Sequence, residues 1–257
     1  MAGGLRSATL QDLDCEDEAA FRPIGLYALL KQVLRKADYR FQLMPKTAPR
    51  WGHALVLNLG FWRPTGGGDV LVDEVVPADV ICHIAWHQLA GAHLADGELP
   101  LAAEALLLGE AIASAFDLYL VGRLMDRAPE CGFIATQLPA LADAAELAGV
   151  DADAFAKLLD GVRADPEAAF ESLRQLLYQT SVGLLAATDA DAALAVLLRA
   201  DDHRFGCLLH HYEIANWLQH ARAAPVNGSA QAARTADADL MAAPVALDWL
   251  ERRWIGR

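Results

Sequence analysis

Two histidines four residues apart, His83 and His87, are the residues whose spacing points most directly to chemistry. On an α-helix, side chains at this spacing differ by about 40° around the axis, so both imidazole rings face the same point. One helix commonly offers two nitrogen ligands to zinc in this way. The chain has eight histidines, so such a pair also arises by chance, and the surrounding residues must decide the interpretation.

Two carboxylates on the following predicted helix favour metal binding. Glu110 interrupts an apolar run, and Asp117 follows seven residues later on nearly the same helix face. An unpaired charge on a buried face is costly, so both groups need compensation. One explanation is an ion pair with Arg123, Arg127 or a histidine. The other makes Glu110 a third metal ligand and Asp117 the group that orients a ligand histidine through a hydrogen bond.

A second group of histidines lies near the end of the helical region. The sequence there predicts one helix, on which His203, His210 and Trp217 fall at seven-residue steps. We predict that His210, His211 or Glu213 completes the shell of metal ligands or supplies a catalytic acid, base or oxyanion donor. The alternative is that these polar side chains only make contacts between helices.

The elements that must position these residues are mainly helices. Apolar spacing predicts a helix from Ile24 to Lys36, and Pro77 with Asp79 predicts the start of another that ends near Leu94. Further helices are predicted at residues 101–125, 134–148, 151–159, 166–185, 190–198 and 203–222. Asp151 and Asp165 are predicted N-caps, the latter followed by proline at the first helical position. Strands are predicted at residues 39–44, 53–62 and 70–75. The last two strands would form a hairpin around a triple-glycine turn.

These elements predict a predominantly helical α+β fold, in which a small N-terminal antiparallel hairpin or sheet precedes a helical bundle. Residues 1–20 are predicted to be a loosely ordered acidic leader, and residues 21–222 a single mainly helical domain. Residues 223–243, rich in small and turn-forming residues, are predicted to be a linker. We expect residues 244–257 to form an amphipathic helix that docks on the core, on a second copy or on a protein partner.

Composition and charge argue against several classes of function. The chain has 34 acidic and 21 basic residues and a net charge of -13, which disfavours binding to nucleic acids or anionic membranes. Ionisable residues interrupt the apolar stretches, so none predicts a membrane span, and the N-terminus lacks the apolar run of a signal peptide. The four cysteines are widely spaced, as is typical of reduced thiols. Together these features predict a cytoplasmic protein.

Residues 53–125 resemble the gluzincin branch of the zinc metallopeptidases. In that family two histidine ligands lie on one helix, and a glutamate about 20 residues later supplies the third ligand. Here 22 residues separate His87 from Glu110, which stands in a Gly-Glu-Ala sequence. The resemblance implies that His83, His87 and Glu110 bind Zn²⁺ or another divalent metal.

One position departs from that family's pattern. Gluzincins use His-Glu-x-x-His, in which the glutamate after the first histidine is the general base. Here that position is Ile84, which cannot accept a proton. General acid–base catalysis contributes about 10²–10⁴-fold to the rate. The resemblance therefore implies a degenerate member that retains the metal without standard peptidase activity.

Three functional hypotheses follow. The first is a metal-binding, zincin-like protein without standard peptidase activity. The second is a metal-dependent hydrolase that takes its acid or base from His210, His211 or Glu213. The third is a metal-free helical interaction or scaffold protein, in which the same polar residues form buried networks.

Overall fold

A computed structural model describes residues 4–47, 50–59, 68–95, 101–224 and 230–256. The chain divides into two compact units, Met1–Ala85 and Trp86–Arg257. The division falls inside one continuous helix, Ala78–Leu94, which therefore contributes to both units. The predicted fold class, predominantly helical α+β, is confirmed.

The described part of the first unit contains five short strands and three helices besides its share of the helix Ala78–Leu94. The strands are β1 (Arg6–Ala8), β2 (Asp14–Glu16), β3 (Phe41–Leu43), β4 (Val70–Leu71) and β5 (Val75–Pro77). The helices are α1 (Glu18–Phe21), α2 (Gly25–Lys36) and α3 (Trp51–Leu59). In one sheet β1 pairs antiparallel with β3, and β3 pairs parallel with β4. In the other, β2 pairs parallel with β5.

The predicted hairpin is wrong in its strand pairing. Residues 53–59 of the predicted strand 53–62 belong to α3, and residues 60–62 lie outside the described residues. The apolar run of residues 54–57 fits a buried strand or a helix equally well, because periodicity does not separate the two over so few residues. Asn58 holds the helix against β4. Its side chain donates to the carbonyl of Val70 (3.0 Å) and accepts from the Val70 amide (2.7 Å).

The segment 1–20 contains more regular structure than its acidic composition predicted. It includes β1, β2 and part of α1, and Leu10 is buried. Glu18 forms an ion pair with Lys31 of α2, which is largely buried. The Tyr27 hydroxyl donates to the same carboxylate at 3.3 Å. An acidic residue expected to be solvated therefore fastens the segment to α2, because a buried amine requires a partner.

The second unit is a helical bundle. Its helices are α4 (Ala78–Leu94, shared with the first unit), α5 (Ala103–Leu124), α6 (Gly132–Leu147), α7 (Ala152–Ala164), α8 (Pro166–Ala186), α9 (Ala190–Asp201), α10 (Ile214–Ala223), α11 (Gln231–Ala242) and α12 (Ala246–Leu250). A 3-10 helix (Gly206–Tyr212) precedes α10, and a π-helical turn (Glu251–Ile255) follows α12. Helix α5 packs against α7, α8, α10 and α11. By length and composition α5 could cross a membrane, but 78% of its apolar window is buried inside the protein, as in a core helix.

Two predicted helix caps are confirmed. The Asp151 side chain accepts a hydrogen bond from the Ala154 amide (2.8 Å) at the start of α7. The Asp165 side chain accepts one from the Ala168 amide (2.9 Å) at the start of α8, where Pro166 takes the first helical position. These aspartates satisfy amide groups that would otherwise lack a partner at a helix start.

The single helix predicted at residues 203–222 is divided. The 3-10 helix ends at Tyr212 and is followed by Glu213, a non-glycine residue with a left-handed backbone (φ 48°). The seven-residue register predicted for His203, His210 and Trp217 assumes 3.6 residues per turn throughout. That register does not hold across a 3-10 segment and a break, so these three side chains do not share one helix face.

Helix α11 occupies most of the segment 223–243 that was predicted to be a linker; residues 225–229 lie outside the described part. Alanine is a strong helix former, and α11 buries Ala233, Ala236 and Leu240. Arg174 of α8 is fully buried and bonds Asp237 of α11 (2.7 Å) and Glu171 of its own helix (2.6 Å). The composition did not reveal this helix because its ionic partner lies 63 residues away.

The C-terminal residues pack on the core, which is one of the contacts predicted for them. Leu247, Leu250 and Trp254 are buried. The Trp254 ring stacks on His93 of α4, with 5.5 Å between centroids, and Nε2 of His93 lies 3.0 Å from the Trp254 carbonyl oxygen. This contact ties the chain end to the helix that carries His87.

Candidate metal centre

Helix α4 places His83 and His87 at the border between its buried side and solvent. Ile81, Ala85 and Trp86 are fully buried, whereas both histidines are partly exposed. Trp86 packs edge-on against Phe116 of α5, with ring centroids 5.4 Å apart. This aromatic contact fixes the turn of α4 beside His87 against α5, so the imidazole is presented from a rigid element.

Helix α5 approaches α4 closely beside His87. A Cβ atom at Gly109 would lie 3.1 Å from the Cβ of Ala90 and 3.8 Å from Nδ1 of His87. Glu110 follows directly, and its Oε2 lies 3.6 Å from Nε2 of His87. The glycine therefore leaves the space in which a carboxylate of one helix meets an imidazole of the other.

The nitrogen and oxygen atoms of His83, His87 and Glu110 that could bind metal all lie within 4.8 Å of one another. Bonds of 2.0–2.2 Å in a tetrahedral arrangement separate ligand atoms by about 3.4 Å. The 3.6 Å between Nε2 of His87 and Oε2 of Glu110 is close to this value, and the ligand atom of His83 lies within 4.8 Å of both residues' ligand atoms. Two imidazoles and a carboxylate suit zinc and related divalent transition metals, so the donor set fits such an ion.

The cluster is partly open to solvent. The side chains of His87 and Glu110 are 34% and 19% exposed. Three protein ligands with a solvent-facing side are typical of sites that keep a coordination position open, whereas structural zinc sites are closed by four protein ligands. Ile84, the residue after the first histidine of the pair, is buried (5% exposed) and apolar. The arrangement can hold an ion and expose it to a small ligand.

Arg123 is one of the two arginines proposed as alternative partners for the α5 carboxylates, and it has other contacts. It bonds Glu167 of α8, and its guanidinium lies over the Tyr119 ring at 5.2 Å from the centroid. Glu110 instead lies beside His87, and the two form an ion pair when the imidazole is protonated. This contact agrees with the alternative in which a histidine is the partner of the carboxylate.

Asp117 lies seven residues beyond Glu110 on α5, about 10.5 Å along the helix axis. Its negative charge acts on the late histidine segment. Burial lowers the pKa of His211, and the charge of Asp117 opposes that shift. Burial raises the pKa of Tyr212 well above its ordinary value, and Asp117 adds to that rise. The predicted hydrogen bond from a ligand histidine to Asp117 stays a prediction.

The late histidine segment, residues 203–213, does not join the ligand group. His210 and Glu213 are exposed, and Glu213 accepts a hydrogen bond from Asn216 (2.8 Å). His211 is partly buried, and its ring meets Tyr212 edge-on at 4.9 Å. Within the described ranges, the cluster of three close metal-binding side chains contains none of His210, His211 and Glu213. Their catalytic roles stay predictions.

His203 is held by local hydrogen bonds. The Phe205 amide donates to Nδ1 (3.1 Å), and Nε2 lies 3.1 Å from the Ser172 hydroxyl. Burial also lowers the pKa of His203, which favours the neutral ring. Since Nδ1 accepts, the proton of the neutral ring is on Nε2, which donates to Ser172. This tautomer cannot take a proton from Ser172, so the pair is not an activated nucleophile.

Gly109 was not predicted from the sequence to be part of the site. Glycine in a helix interior costs about 1 kcal/mol relative to alanine. A glycine inside a helix that is rich in alanine and leucine can therefore signal a close approach of another element. Here that element is the turn of α4 that bears His87.

Comparisons of the chain with protein-family models, curated proteins and solved structures found no match. Function must therefore be argued from the residues of this chain. The gluzincin resemblance remains a prediction that rests on short motifs.

Proposed function

We propose that this protein binds one divalent transition metal ion, zinc in the first instance, through His83, His87 and Glu110. In this proposal it is a zincin-like metal-binding protein without standard peptidase activity. The supporting observation is that the three ligand groups, from two consecutive helices, converge to within 4.8 Å. An ion bound there would supply Lewis-acid chemistry.

The surroundings favour a cation at this position. The chain has a net charge of -13, so its average potential attracts cations. Glu110 contributes the one formal negative charge of the donor set, and the two imidazoles contribute neutral nitrogen donors. Such a mixed set of nitrogen and oxygen ligands favours zinc and other divalent transition metals over calcium or magnesium, which prefer oxygen ligands.

The absence of a general-base glutamate after His83 supports the proposed lack of standard peptidase activity. A buried isoleucine at position 84 cannot accept a proton. The protein would therefore bind metal and a small ligand without the step that general-base catalysis provides in gluzincins.

Cobalt substitution tests the proposed ligands directly. Metal-free protein titrated with Co²⁺ should develop visible absorption typical of a nitrogen and oxygen site, saturating at one equivalent. Glu110→Gln should change both the spectrum and the affinity, whereas Glu213→Gln, which alters an exposed carboxylate, should match wild type. A spectrum like that of aqueous Co²⁺ in folded wild-type protein would contradict the proposal and favour the metal-free scaffold.

A metal-dependent hydrolase is the second candidate, and one observation favours it. His211 is partly buried, and burial lowers its pKa. A neutral imidazole at physiological pH is what a general base requires. The test is hydrolysis of a panel of chromogenic esters and peptides. A hydrolysis rate that requires metal and falls in His211→Asn or Glu213→Gln would support this role. If no metal-dependent hydrolysis is found, the hydrolase hypothesis fails and only the metal-binding proposal stands.

A further inference from the structure

Gly109 stands in the buried interior of α5, where glycine is less favourable than alanine. Ala105 and Ala113, both fully buried, lie four residues to either side on the same helix face. Small residues on one face let a neighbouring helix come close. Gly109 has the smallest side chain of the three, and it stands directly before the candidate ligand Glu110.

The contact between α4 and α5 leaves little room for a side chain at position 109. A Cβ there would lie 3.1 Å from the Cβ of Ala90, whereas carbon atoms in favourable contact are about 3.5–4.0 Å apart. The Ala90 methyl is attached directly to the α4 backbone, so it cannot rotate away. One helix would have to move by a few tenths of an ångström. Ala90 is three residues after His87, so that movement would displace the imidazole as well.

The same position also faces the histidine ring. A Cβ at Gly109 would lie 3.8 Å from Nδ1 of His87, which is ordinary contact, and Nε2 of the same ring lies 3.6 Å from Glu110. The imidazole therefore lies beside position 109 with its Nε2 close to the carboxylate. Metal constellations must be held within about 0.5 Å of their productive geometry, so a shift of a few tenths of an ångström at this contact would use much of that tolerance.

We propose that Gly109 is a positioning residue of the metal centre. Its missing side chain sets the separation of α4 and α5 at which His87 and Glu110 converge on one ion. This inference rests on the proposed metal-binding function. It adds a residue that touches no metal and predicts a loss of affinity when a single methyl group is added.

Zinc affinity, measured by competition with a chromophoric chelator, tests the inference on the full chain. Gly109→Ala should bind Zn²⁺ about tenfold more weakly than wild type. Mutations of residues that support metal ligands reduce metal affinity by a similar factor. Gly91→Ala is the matched control, because a Cβ at Gly91 of α4 meets nothing within 4 Å, and its affinity should equal that of wild type. Ala90→Gly removes the opposing methyl, so the double variant Gly109→Ala/Ala90→Gly should recover to within about threefold of wild type.

The outcomes separate this inference from the proposed function. Wild-type protein that binds no zinc contradicts the metal site itself. Wild-type protein that binds zinc with the same affinity as folded Gly109→Ala overturns only the positioning role. Circular dichroism shows whether each variant folds. If Gly109→Ala does not fold, the double variant decides: near wild-type affinity supports the role, and a folded double variant that remains tenfold weaker overturns it.

Discussion

His83 and His87 lie on one continuous α-helix, whereas His203, His210 and His211 lie in a turn and a 3-10 helix that ends before Glu213. On the regular helix, a four-residue spacing brings two imidazoles to one point beside a carboxylate of the next helix. In the late segment, three histidines close in sequence do not converge. A spacing motif therefore has geometric meaning only where the backbone keeps the period that the motif assumes.

The two regions also differ in what their imidazoles do. His203 accepts from the Phe205 amide and bonds Ser172, so both of its nitrogens serve local structure. Nε2 of His87 lies 3.6 Å from Oε2 of Glu110, and the His87 side chain is 34% exposed, so solvent and small ions can reach it. Asp117 connects the two regions, since it lies on the helix of Glu110 while its charge acts on His211.

Removing the candidate carboxylate ligand should give the largest difference between the regions. Glu110→Gln should weaken zinc binding by at least about 100-fold. Changing a residue that only contacts a metal ligand typically lowers metal affinity 10–100-fold, and we expect the loss of a charged ligand itself to have a larger effect. Glu213→Gln should leave the affinity unchanged. Chelator competition measures both constants, and equal losses in the two variants would contradict the distinction between the regions.

Zinc should stabilise the protein through one region only. At a free Zn²⁺ concentration of 100 times Kd, binding adds about 2.7 kcal/mol to the free energy of unfolding. That energy corresponds to a rise in Tm of about 5–10 °C for a chain of this size. Wild type and His210→Ala/His211→Ala should show this rise in calorimetry. The same rise in His83→Ala/His87→Ala would mean that zinc binds elsewhere.

Asp117→Asn sharpens the comparison, because Asp117 could serve either region. If it orients a ligand histidine, zinc affinity should fall about tenfold. We expect this fall in chelator competition, with Asp126→Asn, on an exposed side chain, as the control. Unchanged affinity would assign Asp117 to the late segment alone.

The smallest expected effect is the pH dependence contributed by His211. Burial lowers the pKa of His211 in the folded protein below its unfolded value of about 6.5. Between these two pKa values the unfolded state binds more protons, so the free energy of unfolding decreases as the pH falls through and below the unfolded pKa. His211→Gln should therefore flatten this decline in urea unfolding with a chelator present. An identical pH dependence in wild type and variant would show that His211 does not contribute.

The sequence predicted the parts of the fold and site that depend on local periodicity. Helix α4, helix α5 and the caps at Asp151 and Asp165 follow from spacing and capping chemistry. The grouping of His83, His87 and Glu110 was predicted because a helix of known pitch fixes the first two, and a buried carboxylate needs a partner.

The parts that the sequence did not predict depend on contacts between distant residues. Helix α11 forms opposite the buried Arg174, and α3 is fixed by Asn58 against β4. Neither partner is evident from the composition of the segment itself. The break at Glu213 was missed because a left-handed non-glycine residue leaves no signal in hydrophobic periodicity.

The most direct test of the metal centre is metal content by plasma mass spectrometry on tag-free protein, beside the His83→Ala/His87→Ala variant. We expect about one zinc or related ion per chain in wild type and in His210→Ala/His211→Ala, with none in the His83→Ala/His87→Ala variant. Metal-free wild-type protein that also fails to take up zinc on dialysis, with all variants folded alike, would contradict the proposed metal centre.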